Sequence, residues 1–185
     1  MEAIRERRTT YYYKPLPVSE EVLMGLLEAA TWAPSLRNAQ PWEFILVGPQ
    51  GRAALRDLYQ AFVRERILPS PIFPEFKKKI ISDFMVDFGG APVVMAVVSR
   101  PPEMAVDHEE YLMGTAAAVQ NIMLAAHDCG LGSAWLSIGR LPAAREILAL
   151  PEGYTVIATL VLGYPERVGP PPPREPAAGK LRRIP

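Results

Sequence analysis

The sequence has little from which a metal site or a disulfide could be built. It contains one cysteine, Cys129, and two histidines, His108 and His127. A single thiol excludes an internal disulfide framework, and these isolated residues do not match the ligand spacing of a zinc site. We therefore expect no metal centre, and any redox chemistry must come from a bound organic cofactor.

Net charge and long apolar runs are also missing. Twenty Lys and Arg residues balance twenty Asp and Glu residues, so the chain as a whole lacks the charge signature of a protein that binds nucleic acid or an anionic membrane. No apolar run approaches the ~18 residues of a membrane span, and Met1 is followed by charged residues rather than by an apolar segment. These features predict a cytoplasmic protein whose partner is a small molecule, with neither nucleic acid nor membrane as a partner.

The chain does contain enough apolar sequence for a buried core. Its 185 residues are 49% hydrophobic, which predicts a single domain over residues 1–185. Helical periodicity follows Ser19 and Gly51 and recurs at 76–88, 109–127 and 142–148, and short strand-like apolar runs occupy 42–47, 92–99 and 154–162. Because helices and strands do not alternate regularly, the sequence predicts an α+β fold with helices flanking one sheet.

The end of the chain is rich in proline. Seven of the twenty prolines lie between Pro165 and Pro185. Proline fixes its backbone angle and donates no hydrogen bond, so this segment cannot form a helix or a central strand. Residues 166–185 are therefore predicted to form an extended tail, which needs a surface to lie on.

Basic residues cluster near both ends of the chain. Arg7 and Arg8, followed by the hydroxyl of Thr9, form one cluster, and Lys180 and Arg182 belong to the other. Each cluster alone is most often a solvated face. Together they could bind one phosphate if the tail folds back towards the beginning of the chain.

Residues 33–42 form a polar loop with a proline near each end. They read Ala-Pro-Ser-Leu-Arg-Asn-Ala-Gln-Pro-Trp and precede a strand-like apolar run. An ordinary helix-to-strand loop would explain the composition. The two prolines, however, make the backbone unusually fixed, which suits a loop that presents polar groups in a set geometry.

Residues 130–135 read Gly-Leu-Gly-Ser-Ala-Trp and invite comparison with a dinucleotide-binding loop. The third glycine of that fingerprint is absent, and the segment follows a helix instead of a strand. A glycine cap at the end of the helix, followed by a turn, explains Gly130. Gly132 and Trp135 are not explained by a cap, and a close backbone approach to a flat ligand would use both.

Four sets of motifs occur in a fixed order along nearly the whole chain. They are Ile-Arg-Glu-Arg-Arg-Thr at 4–9, the loop at 33–42, Ala-Val-Gln-Asn at 118–121 with the glycine motif at 130–135, and Leu-Gly-Tyr-Pro at 162–165. Each motif is weak alone, but their order and spacing are specific. In this order they resemble the nitroreductase family of FMN enzymes.

The resemblance implies an overall architecture. It predicts an α+β sandwich in which helices flank a central, mainly antiparallel sheet. It also predicts a homodimer formed through extensive helix packing, with two FMN sites that are each built from both chains.

The resemblance also assigns cofactor-binding roles to residues of each motif. Arg7, Arg8 and Thr9 match the segment that contacts the phosphate, ribityl and pyrimidine parts of FMN. The loop from the other subunit corresponds to Ser35, Leu36, Asn38 and Gln40, where Leu36 replaces a hydroxyl and is expected to pack on the ring. The backbone that lines the flavin corresponds to Trp135, Leu136 and Ser137, and the C-terminal phosphate clamp to Lys180 and Arg182.

One position departs from the family pattern. Many relatives carry Arg or Lys two residues after the Ser of the first motif, near the flavin pyrimidine, where this sequence has Tyr11. A cation there eases flavin reduction, because the reduced ring carries negative charge near N1. Arg8 or a lysine of residues 77–79 could substitute, although these lysines also fit the solvated face of a helix.

The function implied by the resemblance is an FMN-dependent NAD(P)H oxidoreductase. Hydride would pass from NADH or NADPH to the flavin and then, in a ping-pong mechanism, to a nitroaromatic, a quinone or a similar planar acceptor. No side chain need act as acid or base, so no catalytic residue is assigned. The alternatives are a specialised enzyme of the same fold, such as a reductive dehalogenase or a flavin-fragmenting enzyme, and a protein that stores or senses FMN without turnover.

Overall fold

The computed structural model of the protein describes residues 2–184. Its helices are α1 Glu2–Glu6, α2 Glu20–Thr31, α3 Pro49–Phe62, α4 Glu75–Phe84, α5 His108–Asp128 and α6 Pro142–Ile147. Its strands are β1 Trp42–Leu46, β2 Val93–Ser99, β3 Gly132–Leu136 and β4 Thr155–Gly163. Within residues 2–184, no helix is both long and apolar enough to cross a membrane.

The four strands form one antiparallel sheet in the order β1-β2-β4-β3. The two central strands are the most apolar, and β2 is buried at every residue. Such strands form because β-branched and aliphatic side chains pack well on both faces of a covered sheet. The expectation of a mainly antiparallel sheet in an α+β fold is confirmed.

Helices cover both faces of the sheet. On one face, Leu26 of α2 and Ile122 of α5 pack with Met95 and Leu160 of the central strands. On the other face, α3 and α6 pack with the alternate strand residues, among them Val94, Val161, Ala96 and Val98. The alternation follows from the two-residue period of a strand, whose successive side chains point to opposite faces.

Both ends of α2 agree with the sequence. The Ser19 hydroxyl accepts a hydrogen bond of 3.3 Å from the Val22 amide, and Glu20 and Glu21 occupy the first turn. A hydroxyl cap and acidic residues stabilise a helix N-terminus by satisfying free amides and complementing the helix dipole. The helix ends at Thr31, before Pro34.

The prediction of a glycine cap followed by a turn is confirmed for the cap and wrong for the turn. Gly130 has a positive φ of 77° after the end of α5, so the predicted glycine cap is confirmed. The residues from Gly132 onward, however, form β3, at the edge of the sheet. A Cβ added to Gly132 would lie 2.3 Å from the hydroxyl oxygen of Thr10. The close approach that this glycine allows is therefore to the protein's own N-terminal segment.

The helix predicted over residues 76–88 also needs correction. Its apolar side chains are spaced by four, at Phe76, Ile80, Phe84 and Phe88. Helix α4 ends at Phe84, and Phe88 lies in a separate short 3-10 turn with a positive φ of 51°. Phe88 is still fully buried, whereas Phe76 is 64% exposed. The four-residue spacing identified the helix, but the helix ends at Phe84, one turn before the last predicted member, Phe88.

The N-terminal segment runs between β3 and the chain that follows β4. Thr9 pairs in parallel with Ser133, and Tyr13 pairs in an antiparallel bridge with Pro165. The Glu166 amide donates a 2.9 Å hydrogen bond to the Tyr12 carbonyl. This arrangement brings the predicted cations of residues 7 and 8 to the edge of the sheet and places the beginning of the tail beside them.

Candidate functional site

The N-terminal segment, helix α4 and the beginning of the tail enclose a pocket of about 660 Å³. Six of its lining residues carry cationic side chains, and one, Asp83, carries a carboxylate. We refer to it as the cationic pocket; it is lined by Arg7, Arg8, Thr9, Tyr11, Tyr12, Phe76, Lys77, Lys79, Ile80, Asp83, Arg167, Val168, Gly169, Pro170, Pro172 and Arg174.

The single carboxylate in the lining of this pocket does not balance its six cationic side chains. Burial lowers the pKa of Arg7, and the nearby charges of Arg174 and Arg8 lower it further. Asp83, the carboxylate of the lining, already accepts a 3.0 Å hydrogen bond from the Tyr12 hydroxyl and pairs with Lys79 at 3.6 Å. An anion bound in the pocket would relieve the repulsion between the arginines.

The three consecutive tyrosines have different environments. Tyr13 is buried, and its hydroxyl donates to the carbonyls of Thr10 and Val161 at 3.0 and 3.2 Å. Tyr11 packs edge-on against Phe84, with ring centroids 5.5 Å apart. The Tyr12 ring lies 3.6 Å from the guanidinium carbon of Arg167, a cation–π contact that fixes the beginning of the tail. Tyr11 and Tyr12 both line the cationic pocket.

The loop of residues 33–42 has a strained backbone. Arg37, Asn38 and Gln40 all adopt positive φ angles, of 49°, 57° and 45°. Non-glycine residues rarely occupy this region, and clusters of them are typical of functional loops. The Ser35 hydroxyl accepts a 3.0 Å hydrogen bond from the Gln40 amide and so closes the loop on itself.

Contacts from outside the loop hold it in this conformation. Arg37 forms a 3.0 Å ion pair with Asp107, just before α5, and Arg100 donates to the Ala39 carbonyl. Ser35 and Leu36 line a small pocket against α5 that is separate from the cationic pocket. Within one chain, the structure therefore does not bring Ser35, Leu36, Asn38 and Gln40 together with Arg7, and their predicted role in a partner's site stays a prediction.

The end of β3 borders a second pocket, of about 580 Å³. Its lining is mostly aromatic and aliphatic, so we refer to it as the aromatic pocket; it is lined by Tyr59, Phe62, Ile67, Phe73, Trp135, Leu136, Ser137, Ile138, Arg140 and Leu141. The predicted residues Trp135, Leu136 and Ser137 thus share one pocket. Trp135 is 38% exposed, which leaves part of the indole accessible to a ligand.

Ser133 lies between residues that line the two pockets. It pairs with Thr9, which lines the cationic pocket, and it lies two residues before Trp135 of the aromatic pocket. Its side chain is 2% exposed, and its hydroxyl has no hydrogen-bond partner within residues 2–184. A buried polar atom without a partner is costly and indicates that a ligand or water satisfies it.

The predicted tail residues lie away from the cationic pocket of their own chain. Lys180 forms an ion pair with Glu175, and neither Lys180 nor Arg182 is among the residues that line the pocket. Arg167 and Arg174 line it instead. Sequence reasoning did not assign these two arginines, and the only signal for them was their position after the last strand, in a tail predicted to fold back.

The order of motifs agrees with the comparison to known proteins. A model of the nitroreductase family matches residues 4–164. The chain belongs to the nitroreductase family. This membership supports an oxidoreductase activity, and the matched range ends before the proline-rich tail.

Individual relatives cover nearly the whole chain. A family protein from Archaeoglobus fulgidus, provisionally named a NADH dehydrogenase/NAD(P)H nitroreductase, is 31% identical over 90% of this chain and 85% of its own. The crystal structure of a nitroreductase-like protein from Bacillus cereus has 28% identity and a TM-score of 0.77, covering 99% of this chain and 94% of that chain. A provisionally named nitroreductase from Desulfovibrio desulfuricans, crystallised with FMN, has 30% identity and a TM-score of 0.74, covering 100% and 95%.

Proposed function

We propose that this chain is a homodimeric, FMN-dependent oxidoreductase that transfers hydride from NADH or NADPH to a small planar acceptor by a ping-pong mechanism. Nitroaromatics and quinones are the acceptor classes. The observation that carries the proposal is the cationic pocket, which contains the predicted phosphate-binding residues Arg7, Arg8 and Thr9. The relative from Desulfovibrio desulfuricans that was crystallised with FMN supports the choice of cofactor.

The charge of the cationic pocket fits the FMN phosphate. A phosphate monoester carries about −1.5 to −2 charges at pH 7 and accepts charge-assisted hydrogen bonds. The charge of Arg174 is close enough to disfavour that of Arg7. A phosphate between them would turn this repulsion into two favourable contacts, and the Thr9 hydroxyl would donate a further hydrogen bond.

The arrangement around β3 fits the other end of FMN. The buried Ser133 hydroxyl lacks a partner in the part of the chain that the structure describes, and the polar edge of a flavin would satisfy it. Trp135, Leu136 and Ser137 line the aromatic pocket, where the indole and the Leu136 side chain offer apolar surface to the ring. Thr9, which is proposed to bind the phosphate, pairs with Ser133, which is proposed to bind the ring. This pairing fixes the distance between the two proposed binding groups.

When bound, FMN supplies the isoalloxazine ring that accepts and donates hydride. The protein's residues bind the phosphate, orient the ring, shield it from water and tune its charge. Nη1 of Arg8 is already engaged, since it donates to the carbonyls of Arg5 and Arg7 at 2.6 and 2.8 Å. Lys77 lines the same pocket as Tyr11, and we assign to Lys77 the charge that relatives place at the position of Tyr11.

The proposed dimer explains two features that one chain leaves unused. The strained loop of residues 33–42 presents polar groups away from the cationic pocket of its own chain, as expected if it completes a partner's site. Large apolar side chains near this loop face the solvent, including Trp32 at 81% and Met113 at 60% exposure. Exposed apolar groups of this size are typical of an interface.

Anaerobic mixing of the purified protein with NADH or NADPH tests the proposed function. A reductase loses its flavin absorbance rapidly when the donor is added and regains it when a nitroaromatic or a quinone follows. Flavin colour that persists with both donors would contradict the reductase and favour a storage or sensing protein. Reduction by donor without reoxidation by either acceptor would favour a specialised enzyme of the same fold.

A further inference from the structure

The aromatic pocket contains a cation that the proposed FMN site does not use. Four of the lining residues are aromatic, namely Tyr59, Phe62, Phe73 and Trp135. The charged member is Arg140, and no acidic side chain lines the pocket. A site with aromatic walls and one positive charge is complementary to a flat apolar ligand that carries one negative charge.

Arg140 is held by its backbone, while its exposed side chain has no partner among the described residues. It ends the short 3-10 helix Ile138–Arg140, and its amide donates a 3.0 Å hydrogen bond to the Ser137 carbonyl. Across residues 2–184, its guanidinium forms neither a hydrogen bond nor an ion pair, whereas Arg145 nearby donates to the carbonyls of Tyr154 and Pro151. Arg140 is therefore available to a ligand, and Arg145 serves the fold.

Tyr59 provides a second donor in the same pocket. Its ring is stacked on Phe88 and edge-on to Phe84, so its position is fixed by packing. Its hydroxyl has no hydrogen-bond partner among the described residues. Burial raises the pKa of Tyr59, so the hydroxyl stays protonated and can donate throughout the neutral pH range.

The backbone of the pocket is also unusual. After α3 the chain continues as a π-helical segment, Val63–Ile67, and Ile67 lines the pocket. An isolated π-helical turn is less stable than an α-helical one and occurs often at functional sites. This observation is independent of the charge and of the aromatic lining.

We propose that the physiological acceptor is an aromatic carboxylate whose ring also carries a nitro group, with the ring in the aromatic pocket and the carboxylate on Arg140. The nitro group takes up the hydride and a proton and releases one oxygen as water, and the carboxylate is not reduced. The inference rests on the proposed function, because Trp135, Leu136 and Ser137 belong both to the predicted flavin-lining segment and to this pocket. A single cation in the lining favours a single negative charge over a phosphate dianion. Arginine binds a carboxylate with two parallel hydrogen bonds, which also sets the direction of the ring.

Calorimetric titration with benzoate and with its neutral analogue benzamide tests this assignment without requiring turnover. The protein is used as purified, together with Arg140→Gln and the control Arg56→Gln. Arg56 is a surface arginine that pairs with its neighbour Asp57 and does not line the pocket. We expect wild type and Arg56→Gln to bind benzoate more tightly than benzamide by about fivefold or more, and Arg140→Gln to lose this preference. Arg140→Lys should retain part of it.

Equal affinities of the wild type for benzoate and benzamide would overturn the proposal, as would a preference that survives in Arg140→Gln. The same variants are then compared for reduction of 4-nitrobenzoate and 4-nitrobenzamide, where the ratio of kcat/KM values should fall in Arg140→Gln only. A benzoate preference that depends on Arg140, in a protein that does not oxidise NADH or NADPH, would contradict the proposed reductase while supporting the carboxylate site. The two proposals can therefore fail separately.

Discussion

At the scale of single residues, the proposed FMN site depends on cations whose charge the protein leaves unbalanced. Arg7 is the clearest case, because burial and two neighbouring arginines all oppose its charge in the free protein. A bound anion would relieve this opposition. The phosphate of FMN would be such an anion.

Replacement of Arg7 by Ala should weaken FMN binding by roughly tenfold or more. A hydrogen bond to a charged group contributes about 1.5–3 kcal/mol, and each 1.4 kcal/mol corresponds to about tenfold in Kd. Arg56→Ala is the control, since Arg56 pairs locally with Asp57 outside the pocket. Fluorescence titration with FMN measures both variants, and equal affinities for them would remove Arg7 from the site.

Replacement of Lys77 by Gln should lower the midpoint potential of the bound flavin. Removal of a nearby positive charge destabilises the negatively charged reduced ring, and a loss of roughly 1 kcal/mol corresponds to about 20 mV for a two-electron couple. Lys78→Gln is the matched control, because Lys78 pairs with Glu75 at 2.8 Å and does not line the pocket. If Lys78→Gln lowered the midpoint potential equally, or if Lys77→Gln did not lower it, Lys77 would not replace the family cation.

At the scale of elements, β3 is the strand of the sheet against which the N-terminal segment packs. Gly132 has no side chain because Thr10 occupies the space where a Cβ would lie. The Thr10 amide donates a 3.0 Å hydrogen bond to the Ser133 carbonyl, so the two segments are in direct backbone contact. Separation of this pair would displace Thr9 and Arg7 together.

Gly132→Ala should therefore destabilise the fold by about 1–3 kcal/mol, the usual cost of overpacking a tight contact. Gly25→Ala provides the control, because a Cβ at Gly25 meets nothing within 4 Å and alanine is the better helix former. Urea unfolding followed by circular dichroism measures both variants. If Gly132→Ala were as stable as wild type, the close packing of Thr10 on β3 would be disproved.

Elements with a strong periodic pattern could be predicted from the sequence, and β3 could not. The central strands and α5 are apolar over many residues, so their periodicity outweighs local signals. β3 begins with a glycine and a serine, which normally indicate a turn, and it becomes a strand only through pairing with β4, about thirty residues later. The positive φ angles at Arg37 and Gln40 were likewise not predictable, because contacts with Asp107 and Ser35 impose them.

At the scale of the whole molecule, the tail connects the two ends of the chain. Residues 166–184 are exposed, and the tail is extended apart from the short 3-10 turn Ala177–Lys180. Its first part lies in the cationic pocket of its own chain through Arg167 and Arg174. An extended chain of about 15 residues spans roughly 45 Å at ~3.1 Å per residue, enough to cross a subunit. Lys180 and Arg182 are therefore proposed to act on the partner's site.

The sequence did not predict which tail cations line the pocket of their own chain and which extend beyond it. The sequence indicated that basic residues near both ends would meet at one phosphate, and it identified Arg7 and Arg8 as lining residues. Which tail cation reaches the pocket depends on the cation–π contact of Arg167 with Tyr12. That contact joins residues far apart in the chain, and no local pattern encodes it.

Deletion of residues 166–185 should cost both the dimer and the cofactor. The deletion removes the exposed apolar surface of Val168 and Leu181 together with every tail cation. A shorter deletion, of residues 177–185, retains Arg167 and Arg174 and should lose less FMN. Light scattering and flavin absorbance measure both properties. A protein truncated at residue 165 that remained dimeric and fully flavinated would show that the tail has neither role.

The most direct test of the central claim is a titration of the flavin-free protein with FMN and with riboflavin, which lacks only the phosphate. If the cationic pocket binds the phosphate of FMN, one FMN should bind per chain, about a hundredfold more tightly than riboflavin, on the order of 3 kcal/mol. The difference should shrink at high ionic strength, because the pocket is open to solvent. Equal affinities for FMN and riboflavin, or binding of neither, would contradict the account.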